Sequence, residues 1–320
     1  MNNKIYLLTA IMAFASVGAM LLQPTLASAA THGTHHKNVF TNNSGSNAAS
    51  NTNANQNTDS VPNQNTNANQ NTNANGFTNT NGNFASNVDS NSSNIPSASL
   101  SCGQVIKQSV KLSANLDCTS DGLIVGADGI IIDLNGHTLN GPGPQSSKIG
   151  IMLATSSGVT IKGPGIISGF QAGILNTGGQ DNKINNIDFT GNQIAIFNTG
   201  AKTTDIENNM MFNNAIGMAS HSSQGTIFTM NMLNNNNLAG VTLVNSAGNT
   251  IDTNTIRGSN NGVFVDGQST NNSVKTNVIM LNSGVDINNA NGLPININQN
   301  SFTSNSCNTS VPDGLCLTNK

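Results

Sequence analysis

Short apolar groups recur along the second half of the chain, separated by Asn, Gly, Ser and Thr. From residue 150 a small residue followed by an apolar one returns about every 22 residues. These pairs are Gly150-Ile151, Gly173-Ile174, Ala195-Ile196, Gly217-Met218, Gly240-Val241, Gly262-Val263 and Gly284-Val285. A fixed period of this size is typical of stacked repeat architectures. The pattern therefore predicts a solenoid of equal rungs over residues 150–320.

Each repeat contains two further apolar anchors. We predict the second at Ile161, Ile184, Ile206, Ile227, Ile251, Val274 and Ile297, and the third at Ile166, Phe189, Met211, Met232, Ile256, Ile279 and Phe302. Groups this short are too broken for helices and suit short strands with turns. Three strands and three turns make one triangular rung, and stacked rungs pair each strand with its copies. The predicted fold is an all-β, single-stranded parallel β-helix of about seven to nine rungs.

Asn suits the turns of such a fold because it tolerates left-handed backbone and its amide can bond the Asn of the next rung. We expect ladders at Asn213 and Asn214, residues 234–237, Asn260, Asn282 and Asn305. Charged residues make up only 8% of the chain, which follows because like charges stacked in register repel. With a net charge of -3 and scattered Lys, no nucleic-acid partner is expected.

The first hundred residues have a different composition. Residues 1–29 combine Lys4, an apolar core from Ile5 to Leu22 and the small-residue exit Ala27-Ser28-Ala29, which is typical of a secretory signal peptide. An uncleaved membrane anchor is the alternative. Residues 30–100 form a His/Asn-rich segment that has too little apolar surface to fold and is predicted to be a disordered tether. We expect a secreted, cell-surface or periplasmic protein without a transmembrane domain after signal cleavage.

Four Cys residues form two close pairs. In an oxidising compartment we expect Cys102 to pair with Cys118 and Cys307 with Cys316, with free buried thiols as the alternative. Residues 101–149 break the period and are predicted to form the N-terminal cap and first rungs. Residues 150–320 supply the regular rungs and the C-terminal cap. The expected disulfides therefore clamp both ends of the solenoid, where fraying would begin.

One stretch of the chain resembles a known group of proteins. It includes Cys102-Gly103 through Leu112, then Cys118, and the run DGLIVGADGIIIDLNGHTL at 121–139. Together with the rungs that follow, it resembles right-handed parallel β-helix repeat proteins of the NosD-like and pectin-lyase-like group. The resemblance covers residue 101 to the end and implies a right-handed helix. It implies no single function, since the group includes polysaccharide lyases, hydrolases and epimerases, a periplasmic copper-maturation factor and surface proteins without known activity.

Three His residues lie close together at the front of the tether, at His32, His35 and His36. If cleavage follows Ala29, a His at position three lets the amine, two amides and the imidazole hold Cu(II) in a square plane. The alternative is a solvated tail without metal. The rest of the chain requires no cofactor.

Strand alternation predicts one outer column directly after the second anchor, made of Lys162, Asn185, Glu207, Phe228, Asp252, Lys275 and Asn298. Glu207 and Asp252 would lie two rungs apart, about 9.6 Å, at the outer limit for an inverting glycosidase pair. They are weak catalytic candidates, with a solvated polar face as the alternative. His137, and His221 with Asp266, are expected to be structural. Because the carboxylates are dispersed, we favour a protein without catalytic activity.

A second predicted outer column follows each rung's small residue by two positions and contains Met152, Leu175, Phe197, Ala219, Thr242, Phe264 and Asp286. It is apolar on a face expected to be wet, so Met152, Leu175, Phe197 and Phe264 are candidate binding residues, with cover by a loop or the tether as the alternative. A carbohydrate or a cell-surface component is a candidate partner, although Trp is absent and the one Tyr is Tyr6.

The leading hypothesis is an exported, non-catalytic β-helix that acts as a cell-surface or extracellular binding or structural module. A polysaccharide-active enzyme and a copper-related periplasmic factor are the alternatives.

Overall fold

A computed structural model describes residues 94–317 of the chain. The predicted signal peptide, the His tract and most of the predicted tether lie outside these residues. The described chain forms three sheets of ten, eight and ten strands, and every strand pairs in parallel with the equivalent strand of the neighbouring rung. The predicted parallel β-helix is confirmed.

Sheet I contains ten short strands, which are β1 (Ser97–Ala98), β3 (Val110–Leu112), β6 (Ile131–Asp133), β9 (Thr160–Lys162), β12 (Lys183–Asn185), β15 (Asp205–Glu207), β18 (Ile227–Thr229), β21 (Thr250–Asp252), β24 (Ser273–Lys275) and β27 (Ser301–Thr303). Sheet II contains eight, which are β4 (Leu116–Asp117), β7 (Thr138–Asn140), β10 (Ile166–Ser168), β13 (Asp188–Thr190), β16 (Met210–Phe212), β19 (Met232–Asn234), β22 (Thr255–Arg257) and β25 (Val278–Met280).

Sheet III contains the longer strands, which are β2 (Gln104–Ile106), β5 (Leu123–Val125), β8 (Ile149–Leu153), β11 (Ala172–Thr177), β14 (Ile194–Thr199), β17 (Ile216–His221), β20 (Ala239–Val244), β23 (Asn261–Val265), β26 (Val285–Asn289) and β28 (Ser310–Val311). A 3-10 turn at Ile295–Ile297 interrupts the last rungs. Strand β1 lies within the segment assigned to the tether, so the folded part begins by Ser97.

The small residue of each rung is required by the approach of the next rung. A Cβ added to Gly217 would lie 2.6 Å from the carbonyl oxygen of Gly240, and one added to Gly240 would lie 2.7 Å from that of Gly262. Neither distance is compatible with a side chain. This close approach explains why Gly recurs at the start of the period. The exceptions are Ala195 and, in the last rung, Asp286, which stands there in place of the predicted Gly284.

The interior is filled by inward columns from the three sheets. On sheet I the column is Ile132, Ile161, Ile184, Ile206, Phe228, Ile251, Val274 and Phe302, all at most 3% exposed. Two predicted anchors of this column are wrong. Ile227 is 47% exposed and Ile297 is 61% exposed, and Phe228 and Phe302 occupy their places. The predicted outward positions of Phe228 and Asn298 are corrected with them, to Thr229 and Thr303.

Four further predicted anchors are wrong, and one of them, Phe302, lies in the column of sheet I rather than on sheet II. On sheet II, Ile167 and Leu233 face inward, whereas the predicted Ile166 and Met232 are exposed. On sheet III the last anchor is Ile287 rather than Val285. A slip of one residue reverses the face of a strand, and two adjacent apolar residues at these sites leave the choice of face undetermined by the sequence.

Buried Asn ladders join the rungs at the turns. Asn214, Asn236 and Asn305, all predicted, accept bonds from Asn192, Asn214 and Asn277 of the preceding rung. The longest ladder, which the prediction missed apart from its last member, runs through Asn209, Asn231, Asn254, Asn277 and Asn305. Asn213 and Asn235 instead occupy left-handed turn positions, with φ of 57° and 54°.

Both predicted disulfides are present. Cys102 is bonded to Cys118, and Cys307 to Cys316. The first bond lies beside the earliest rungs and the second beside β28. Each therefore closes a loop at one end of the solenoid, as the sequence predicts.

Candidate functional site

The outer face of sheet III carries a second hydrophobic cluster, separate from the interior. It is formed by two apolar columns and one flanking residue, namely Ile149, Ala172, Ile194, Ile216, Leu175, Phe197, Ala219 and Val244, with Met152 and Leu238 at its margin. We call these residues the outer apolar face. Its eight central members are at most 3% exposed. The low exposure shows that this surface is covered, while within residues 94–317 the side chains of the cluster itself come from sheet III and the adjoining Leu238.

Register places the four candidate binding residues in a single column. Met152, Leu175 and Phe197 are paired neighbours, and Phe264 lies further along, beyond Ala219 and Thr242. Leu175, Phe197 and Phe264 are buried and Met152 is half-buried, so this face is not the wet surface that alternation alone predicts. The last residue of the column is Asn288, which corrects the predicted Asp286.

The first column of the face was missed by the sequence analysis. It consists of the apolar residue directly before each rung's small residue, at Ile149, Ala172, Ile194, Ile216 and Ala239. Its signal was present, because these residues repeat with the same period as the anchors. Every residue of β11 and β14 is buried, with Ile174 and Ile196 in the interior cluster and Leu175 and Phe197 in the outer one, so sheet III buries both of its faces.

Polar atoms without partners lie along one edge of the outer apolar face. Thr242 is fully buried and Asp266 is 4% exposed. Within the described chain, Thr242 Oγ1, Asp266 Oδ2 and His221 Nδ1 are buried atoms that lack a hydrogen-bond partner. Buried polar atoms without partners are uncommon in native structures and call for an explanation, such as a ligand.

His221 and Asp266 are joined electrostatically but not by a hydrogen bond. Val244 pairs with His221 on the strand between them. Burial lowers the pKa of His221, and the charge of Asp266 partly opposes that shift. The other carboxylate oxygen of Asp266 accepts hydrogen bonds from the backbone N–H groups of Asn245 and Ser269 and from the Ser269 hydroxyl. Asp266 is thus held by three hydrogen bonds to one oxygen, and its other oxygen is buried without a partner in the described chain.

The two weak catalytic candidates lie in one outer column of sheet I. Glu207 and Asp252 are the neighbours of Thr229 on either side, so they are two strands apart, about 9.6 Å. Asp252 Oδ2 lies 3.6 Å from Lys275 Nζ, and its Oδ1 accepts a hydrogen bond from the Thr253 hydroxyl. Asp252 therefore already has a cation and a donor, which suits a structural ion pair better than a general acid or base.

Within the described residues, the side chains that usually bind hard or borderline metal ions do not form a cluster. No group of three or more His, Cys, Asp or Glu residues comes together within residues 94–317. His137 is engaged at the N-terminal end, where its Nδ1 lies 3.3 Å from Asn115 Oδ1. The candidate ligands His32, His35 and His36 lie outside the described range. No helix of the described chain is long and apolar enough to cross a membrane.

The stacked parallel sheets and their inward columns define the class, a right-handed parallel β-helix repeat protein with a pectin-lyase-like fold. The sequence profile of the family described as periplasmic copper-binding protein (NosD) matches residues 119–316, more than half of the chain. The chain belongs to the NosD family. No curated protein matches the sequence.

Solved structures share the fold at low sequence identity. The enzymatically active domain of tailspike protein 2 of bacteriophage CBA120 matches with a TM-score of 0.51 and 14% identity, over 68% of this chain and 37% of that chain. DFA-IIIase from Arthrobacter chlorophenolicus A6, without its lid, gives a TM-score of 0.44 and 14% identity, over 62% and 56% of the two chains. Endopolygalacturonase I from Stereum purpureum gives 0.33 and 11%, over 68% and 92%. The chain thus spans about a third of the tailspike domain and just over half of the DFA-IIIase.

Proposed function

We propose that this exported β-helix protein is a non-catalytic binding module and that its outer apolar face receives one amphipathic helix of a partner outside the cytoplasm. The observation that carries the proposal is the second hydrophobic cluster, which lies on the outside of sheet III and is withdrawn from solvent. A structural β-helix needs apolar residues only in its interior. A second apolar layer on one outer face indicates contact with another element.

The size of the face favours a helix over a folded domain. Five strands, from β8 to β20, of up to six residues each cover about 24 Å by 20 Å, roughly 480 Å². Each partner of a stable protein–protein interface buries about 800 Å², so a face-to-face dimer would be undersized. A helix is about 10 Å wide, and about 16 residues span 24 Å. One helix therefore fits the face.

The buried polar atoms of Thr242 and Asp266, at one edge of the outer apolar face, favour a partner helix that carries a basic side chain. Asp266 Oδ2 and Thr242 Oγ1 are buried acceptors without partners in the described chain. A Lys or Arg at the border of the helix's apolar stripe would satisfy them and would fix the orientation of the helix. The chain's own apolar run from Ile5 to Leu22, preceded by Lys4, has the same character and is the competing occupant.

The test uses the chain beginning at residue 30 and a fluorescein-labelled, 16-residue amphipathic Leu/Lys peptide. Fluorescence anisotropy should show saturable binding that falls at least about tenfold in Leu175→Glu and Ile194→Glu, because a buried unpaired charge opposes docking. Ile227→Glu is the matched control, since Ile227 is exposed on sheet I.

Saturable binding that is equal in all variants, or no binding, would contradict the proposal. The chain beginning at residue 1 provides a further comparison. If its apolar run occupies the face, the peptide should bind it more weakly than it binds the shorter chain.

Copper binding is the second candidate function. Two observations favour it, the copper-binding description of the family and the His32, His35 and His36 tract. Titration of the exported chain with Cu(II), after its N-terminus has been sequenced, should produce a visible absorption band that is lost in His32→Ala. Absence of a band in the processed protein would contradict Cu(II) binding by the His tract.

A further inference from the structure

Three Met side chains are exposed together on the outer corner between sheets I and II. Met210, Met230 and Met232 are 43%, 45% and 44% exposed. Met is an apolar residue that usually fills irregular gaps in cores, and Met211 and Met218 of this chain are buried. These three Met residues lie within two consecutive rungs, in a region that also exposes Ile166 and Ile227, and none of them fills the interior.

The register brings these three residues to one place. Met210 and Met232 are directly paired on β16 and β19, so their Cα atoms are about 4.8 Å apart. Met230 and Met232 flank Asn231, which is buried and bonded into the interior ladder. The inward Asn231 therefore leaves an exposed Met on each side of it. Each Met has three rotatable bonds, so the three sulfur atoms can converge without movement of the backbone.

The backbone at Met230 gives independent support. Met230 has a φ of 55°, and the equivalent turn residues of the other rungs, Asn186, Asn208, Thr253 and Thr276, have φ between 55° and 58°. Asn suits left-handed backbone because its side chain can bond locally, whereas Met gains nothing there. Among these equivalent turn residues, Met230 is the one with an apolar side chain.

The chemistry of the sulfur donors identifies the ligand. Soft thioether ligands select Cu(I) over harder divalent ions. Both Cys pairs form disulfides and no free Cys is present in the described chain. Thioethers are therefore the soft donors that the described residues can offer. We propose that Met210, Met230 and Met232 form a surface Cu(I) site. This inference rests on the copper-binding candidate function and gives it a second, sulfur-based site.

The test supplies the exported chain, beginning at residue 30, with Cu(I) under anaerobic conditions in competition with bicinchoninate. Each of Met210→Leu, Met230→Leu and Met232→Leu should weaken Cu(I) binding by about tenfold or more, and the triple variant should abolish the site. Leu conserves volume at these exposed positions. Met280→Leu, on β25 of the same sheet, is the matched control and should bind as the wild type does. X-ray absorption of the copper-loaded wild type should show sulfur neighbours.

The outcomes separate this site from the His tract. Equal Cu(I) affinity in the triple Met variant, or nitrogen-only coordination, would overturn the Met site. If that affinity is lost instead in a variant with His32, His35 and His36 changed to Ala, copper binding stands and the Met site falls. A wild-type chain that binds neither Cu(I) nor Cu(II) would overturn both.

Discussion

Asn231 shows how much a single side chain contributes to the stacking. Its amide donates to the carbonyl oxygens of Ile206 and Thr229 and to Asn254 Oδ1, and its Oδ1 accepts from the backbone and side chain of Asn209. These bonds connect three consecutive rungs. The richness in Asn after residue 150 therefore has a specific cause, because Asn can supply the donors and the acceptor at one turn.

Asn231→Ala should lower the free energy of unfolding by roughly 2–4 kcal/mol, because it leaves several buried backbone groups without partners. Urea denaturation of the two proteins measures the difference. Asn237→Ala, at an exposed position of the same rung, should change stability by less than about 0.5 kcal/mol. Equal effects of the two changes would show that the ladder is not stabilising.

Asp188 provides a pH-dependent test. Burial raises its pKa above the ordinary value of 3.8, and its paired neighbours on the adjoining strands are Ile166 and Met210. A raised carboxyl pKa means that ionisation is disfavoured in the folded state, so stability is lost as pH rises through that pKa. Asp188→Asn should therefore be more stable than the wild type at neutral pH, with a difference that shrinks as pH falls through the raised pKa and is lost below pH 3.8. A difference independent of pH would contradict this assignment.

At the scale of the strand, the register depends on which of two adjacent apolar residues faces the interior. Ile227 and Phe228 are adjacent and both apolar, and the sequence period alone selected the wrong one. The interior of β18 is filled by Phe228, the larger side chain, which pairs with Ile206 and Ile251.

Phe228→Ala should lower the free energy of unfolding by about 3–4 kcal/mol, because it opens a cavity in the closed interior. Ile227→Ala should have little effect, since Ile227 is exposed. Thermal or urea unfolding of both variants measures the two losses and shows which residue of β18 faces the interior. A larger loss from Ile227→Ala would restore the original assignment.

Much of the fold could be predicted because its determinants are local and periodic. The rung length, the inward Ile161, Ile184 and Ile206, and the two disulfides all follow from spacing. The anchors of the last rung were predicted wrongly because this rung contains an insertion. The insertion is the loop before β27, which includes the 3-10 turn. The outer apolar face was only half predicted, because alternation assigns outer positions to solvent and says nothing of what covers them.

At the scale of the whole molecule, each rung contacts only its neighbours, so stability should vary along the solenoid. A disulfide that closes a loop of about 15 residues contributes about 3 kcal/mol. Changing Cys102 and Cys118 to Ser should therefore increase hydrogen exchange in β1 to β4, while β14 to β17 remain protected. Mass spectrometry of exchanged peptides measures both regions. Uniform loss of protection along the chain would show that the solenoid unfolds as one cooperative unit.

The central claim is that the outer apolar face binds a helix. A photoreactive benzophenone amino acid replacing Leu175, in the chain beginning at residue 30, tests it most directly. On irradiation it should crosslink to the bound amphipathic peptide, whereas the same amino acid replacing Ile227 should not. Crosslinking from position 227 alone, or from neither position under conditions where the peptide binds, would contradict the claim.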